Sequence, residues 1–133
     1  MDINFTDPNE IPLPPEEIRF RKIKATPSPD GKQVKVHLEI DPFLKGPNVD
    51  ISILDEQGEE LSSVSIIEMP ERKMDMVLHI RTPQSKTRYT VQTTLYYFEI
   101  RDESDQEFEF SPLIRTIVDT SNFTFMSNMV DYS

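Results

Sequence analysis

His37 and His79 are the only imidazoles in the chain, so proton sensing or metal binding through a ring nitrogen would have to use one of them. Each sits on the polar phase of a strand-like alternation, with Glu39 and Asp75 available as further ligands. Two groups of acids form a second candidate. Asp55, Glu56, Glu59 and Glu60 surround one turn, and Asp102, Glu103, Asp105, Glu107 and Glu109 surround another. Neither has the alternating oxygen ligands and central glycine of a calcium-binding loop. The chain has no cysteine, which removes thiol catalysis, thiolate metal sites and disulfides together. Its three glycines, Gly31, Gly46 and Gly58, are too dispersed for a phosphate-cradling loop. The residue types therefore assign no catalytic residue, no metal and no cofactor, and the expectation is a protein that is not an enzyme.

The unusual concentration is aromatic. Tyr96, Tyr97 and Phe98 follow one another, and successive side chains of a strand face opposite ways. With Tyr97 directed inward alongside Tyr89, Val91 and Leu95, both Tyr96 and Phe98 point outward. An outward aromatic pair on a sheet is a candidate contact surface for a partner, unless an arm or tail of the same chain covers it.

The elements that would hold these residues are strands. Val34, Val36, Leu38 and Ile40 alternate strictly with Lys35, His37, Glu39 and Asp41, the period of a strand buried on one side. The same period runs through Val49, Ile51 and Ile53, and through Met74, Met76, Leu78 and Ile80; Leu61, Val64 and Ile66 give a looser version. Residues 89–100 read as a long sixth strand. Phe108, Phe110 and the stretch 113–118 read as a seventh, or as a seventh and an extra one. The first strand, around Ile18 and Phe20, slips phase before Ile23, as a β-bulge allows; Pro15-Glu16-Glu17 also suits the start of a short helix. Turn signals, such as Pro27 to Lys32 and Asp55 to Gly58, recur about every ten residues with no long helical period between them, which points to a sandwich or barrel.

This pattern resembles the immunoglobulin-like and fibronectin type III families over residues 12–118. The proline-rich lead-in before Ile18, the run Val34 to Pro42, and Lys86 to Gln92 with a tyrosine at the entry to the sixth strand carry the likeness. The resemblance implies an all-β, two-sheet antiparallel sandwich of about seven strands. It implies that Tyr89 is the corner tyrosine whose hydroxyl bonds back to the chain. It also sets the second and fifth strands side by side, so that His37 and His79 share one outer face, and it puts the two acidic turns at opposite ends. The chain departs from the families in having no tryptophan for the core and no cysteines for an inter-sheet disulfide.

The domain reading is a proline-rich arm over 1–15, a sandwich over 16–118 and a tail over 119–133, the tail either packing back or supplying a strand to a neighbour. A net charge of −10 opposes binding to nucleic acid and to anionic membranes. The first residues lack the basic and apolar regions of a signal peptide, and no apolar run approaches the ~20 residues of a membrane span; the expectation is a cytoplasmic protein. The expected function is a non-enzymatic protein-interaction or structural module whose partner is another protein, met at Tyr96 and Phe98. The alternative is a carbohydrate-binding or adhesion module of a surface protein.

Overall fold

The computed structural model describes residues 11–83, 87–100 and 113–126. Among the described residues a 3-10 turn, Pro15–Glu17, precedes seven strands: β1 (Phe20–Pro27), β2 (Gln33–Ile40), β3 (Asn48–Leu54), β4 (Glu60–Ile66), β5 (Lys73–His79), β6 (Arg88–Ile100) and β7 (Leu113–Met126). They form two antiparallel sheets, one ordered β1-β2-β5 and the other β4-β3-β6-β7. The expected all-β sandwich is the observed fold.

Period-2 alternation decides which face of each strand is buried. Val34, Val36, Leu38 and Ile40 of β2 and Val49, Ile51 and Ile53 of β3 are wholly buried and belong to one core, together with Ile18, Tyr89, Val91 and Leu95. Each such side chain gains roughly 1.5–3 kcal/mol on leaving water. Phe123 and Phe125 of β7 pack against this core, the Phe125 ring standing edge-on to Tyr89 at 5.7 Å. These rings supply aromatic bulk to a core that has no tryptophan. Tyr89 is therefore a core residue.

The ambiguous first segment resolves into both of its readings in succession. Proline and two acids make the 3-10 turn, and extended backbone follows, with a register shift between Phe20 and Lys22. Leu13 of the proline-rich stretch forms a parallel bridge to Phe43, held by Leu13 N–H to the Pro42 carbonyl at 2.9 Å. Between β1 and β2, Asp30 accepts hydrogen bonds from the Ser28 hydroxyl and the Lys32 amide, and Gly31 takes a φ of 72°. β7 continues through residue 126, so Asn122 to Phe125 pair with β6 of the same chain. Another register shift, at Leu95/Tyr96, leaves Val118 extra in β7. Next to that bulge, the Asp119 carboxylate accepts the Phe20 amide at 2.9 Å and ties β7 to β1 across the two sheets. Phe108, Phe110 and the second acidic turn lie outside the described residues.

Candidate functional site

The outer face of the four-stranded sheet is built from residues that the core alternation leaves over. Val49 and Ile51 face the core, so Asp50 between them faces out. Leu95 pairs with Val49, so Tyr96 lies on Asp50's side of β6. Arg115 pairs with Phe98, and Ile117 with Tyr96, on β7. Asp50 binds along this face in both directions. Its Oδ1 accepts from the Ser65 hydroxyl at 2.7 Å and from the Tyr96 hydroxyl at 3.1 Å, and its Oδ2 meets Arg115 Nη1 at 3.0 Å. The Arg115 guanidinium lies 4.0 Å from the centre of the Tyr96 ring, and Phe98 stands edge-on to the same ring at 5.3 Å. Ser65, Asp50, Tyr96 and Arg115 thus join β4, β3, β6 and β7 in spatial order.

Tyr96 and Phe98 therefore share an outer face, but they are not equally accessible. Tyr96 is only 1% exposed, because β7 lays Arg115 across it, whereas Phe98 is partly exposed and Ile117 beside it is 57% exposed. Burial, and then the Asp50 carboxylate, raises the Tyr96 phenol above its ordinary value of 10.0. Tyr97 turns the other way and is buried as expected. Its hydroxyl donates to the Lys45 carbonyl at 2.6 Å, and burial pushes its phenol up to about 12. Asp50, Arg115 and Ile117 were not singled out in the sequence. Asp50 was legible from its phase in β3. Arg115 and Ile117 could be matched to Phe98 and Tyr96 only once the bulge at Val118 was known.

The two histidines are not brought together. β2 does pair with β5, but His37 lies opposite Asp75 and His79 opposite Gln33. Four residues of strand separate the two positions, about 13 Å at roughly 3.3 Å per residue. His37 instead binds both candidate ligands itself, with Nδ1 2.8 Å from Asp75 and Nε2 2.7 Å from Glu39. A carboxylate at each nitrogen favours the protonated ring, in which both nitrogens are donors and neither can ligate a metal. In the first acidic turn, Asp55 Oδ1 accepts the amides of Gln57 and Glu59, each at 2.9 Å, so that carboxylate shapes the turn. Among the described residues no group of three or more His, Asp or Glu side chains is placed to hold a metal ion.

The pairing around His37 gives stability a pH window. Hydrogen bonds that the ring donates to the carboxylates of Glu39 and then Asp75 raise its pKa above 6.5, while His37 lowers that of Glu39 below 4.5. A raised histidine pKa contributes stability that is complete below the unfolded value and is lost as pH rises through the folded one. A lowered carboxylate pKa contributes stability that is lost as pH falls through its folded value. His37→Gln should therefore destabilise the protein most between about pH 4.5 and 6.5 and least in alkali. Urea unfolding of both proteins across pH checks this; an equal stability difference at every pH would rule out the ion-paired arrangement.

Sequence and fold comparisons agree with an architecture and go no further. No protein-family model matches the chain, and none of the curated proteins matches it. Solved structures do. The chain is similar to part of a β-glucuronidase of Bifidobacterium dentium, with a TM-score of 0.53 and 16% identity over 83% of this chain and 18% of that one. A glycosyl hydrolase family 2 member from Bacteroides cellulosilyticus gives 0.54 at 13% identity, covering 82% of this chain and 14% of that one. A β-glucuronidase from Ruminococcus gnavus gives 0.51 at 13% identity, covering 84% and 16%. The chain spans less than a fifth of the length of each of these proteins, and at such identities the likeness is one of fold.

Proposed function

We propose that this protein is a non-enzymatic β-sandwich module of the fibronectin type III kind that binds another protein along the outer face and free edge of β7. The strand order supports the finer architecture: three strands, β1-β2-β5, face four, β4-β3-β6-β7. The observation that carries the binding surface is Ile117, more than half exposed on an end strand, beside partly exposed Phe98 and the Arg115 guanidinium. Among the described residues β7 pairs only with β6, so an extended partner segment could add a strand along its other side. Tyr96 is the base of this surface and Phe98 and Ile117 are its contacts. The non-enzymatic reading is supported by the polar groups that first suggested chemistry. His37, Glu39, Asp75, Asp55 and Asp50 are each engaged in holding strands or turns together.

A second reading, a carbohydrate-binding accessory module, is favoured by the sugar-cleaving enzymes among the structural neighbours and by the aromatic and guanidinium groups on this face. One comparison separates the two. Ile117→Lys should abolish capture and crosslinking of a specific protein partner, and Val77→Lys, at an exposed site on the other sheet, should leave it intact. Equal capture by both variants would overturn the protein-binding reading. Saturation-transfer signals from glucuronic acid that disappear with Ile117→Lys would favour the sugar reading instead.

A further inference from the structure

The outer face of the three-stranded sheet has the opposite charge to the molecule. The chain carries −10, yet strand register places Lys22 and Lys24 of β1, Lys35 of β2 and Lys73 of β5 on this one face, four of its seven lysines. The carboxylates in the same rows are Glu39 and Asp75, and His37 binds both. Lys22 and Lys73 flank Glu39 at longer range, while no ion pair among the described residues joins Lys24 or Lys35 to an acid. Lys22, Lys24 and Lys35, with Thr26, His37 and Asp75, line a hollow of about 250 Å³. That is just below the roughly 300–1,000 Å³ of pockets for drug-sized ligands, and suits a small molecule.

Several ammonium groups around one hollow repel one another, and the chain has 24 acidic residues with which they could have been interleaved. The carboxylates that are present are held at the imidazole. Its two nitrogens are occupied, so His37 ties up both carboxylates and offers the hollow no hydrogen bond of its own. We propose that this hollow is an anion-binding site for a small ligand bearing a phosphate, sulfate or carboxylate group. Lys24 and Lys35 are its principal donors, Lys22 and the Thr26 hydroxyl complete it, and Asp75 bounds one side. Lysine suits such a site because its ammonium acts as a point charge that follows an anion of any of these shapes. The site lies on the opposite sheet from the protein-binding face and stands or falls separately from it.

The test is an amide NMR titration of the full chain at low ionic strength, with inorganic phosphate, inorganic sulfate and acetate as probes. Saturable shifts confined to β1, β2 and β5 are expected, stronger for divalent phosphate and sulfate than for acetate. Lys24→Gln and Lys35→Gln should each weaken phosphate binding about tenfold, whereas Lys45→Gln should change it by less than about twofold. These side chains are at the surface, so the substitutions leave the core untouched. Shifts that rise linearly with every salt, or an equal response in all three variants, would overturn the site. Lysines on β1 would then serve only to guard an exposed sheet edge.

Discussion

Tyr96→Ala should cost about 3–5 kcal/mol of stability, the range for removing a large buried aromatic side chain, and so a large part of the roughly 5–15 kcal/mol that holds a domain folded. The ring is 1% exposed, and it supports Arg115 above, Phe98 edge-on and, through its hydroxyl, Asp50. Tyr96→Phe keeps the ring and its contacts and removes only a hydrogen bond to a charged acceptor, so about 1.5–3 kcal/mol is the ceiling. Arg115→Ala should cost less than Tyr96→Ala, because the Arg115 side chain is 46% exposed, a half-solvated ion pair contributes no more than about 1 kcal/mol, and its stacking on the Tyr96 ring adds about 0.5–1 kcal/mol. Urea unfolding of the three variants should place Tyr96→Ala lowest. A Tyr96→Ala protein as stable as the parent would mean that the four strands are not tied together through this residue. The order also bears on function. Lost partner binding in Tyr96→Ala would report a damaged sheet, so binding has to be tested at Ile117 and Phe98.

Strands β1 to β6 were legible because one face of each must enter the core, and Val34 to Ile40 or Val49 to Ile53 can do so only at period 2; β7 was legible over 113–118, while its residues beyond 118 read as a tail. The inward placement of Tyr97 and the shared outer face of Tyr96 and Phe98 followed from the same parity. The depth of Tyr96 did not. Its cover, Arg115, is 19 residues away on another strand, and its match to Tyr96 and Phe98 depends on the bulge at Val118, which no local residue signal marks. His37 and His79 show the complementary limit. Parity put both on one outer face correctly, but nothing in the sequence set the register between β2 and β5. The two imidazoles lie opposite Asp75 and Gln33 instead of each other. The lysine-lined hollow was missed for a similar reason: each lysine reads as an ordinary outward residue, and the charge asymmetry emerges only when three strands are laid side by side.

Gly46→Ala should be among the most destabilising single changes in the loops, at about 3 kcal/mol or more, although it adds only one methyl group. A Cβ at Gly46 would be driven into the backbone carbonyl oxygen of Met69, with the Met69 nitrogen only 3.3 Å away. Backbone atoms cannot swing aside as the end of a side chain can. That carbonyl is fixed because the Met69 amide donates to the Pro47 carbonyl at 2.8 Å, and the Glu68 amide before it donates to the buried Asn48 side chain at 2.8 Å. Glu68 itself holds a φ of 52°, a left-handed conformation that a glutamate adopts only under constraint. Relief of the clash would lift Met69, 2% exposed and part of the core, out of its seat. It would also shift Lys45, whose carbonyl accepts the Tyr97 hydroxyl. Gly58 is the control. Its φ is 81° and nothing lies within 4 Å of an added Cβ, so Gly58→Ala meets only the left-handed penalty of about 1–2 kcal/mol. Urea midpoints should therefore fall further for Gly46→Ala than for Gly58→Ala. The reverse order would mean that the loop after β4 does not close over the loop before β3, and that the sandwich end carrying Tyr97 is open.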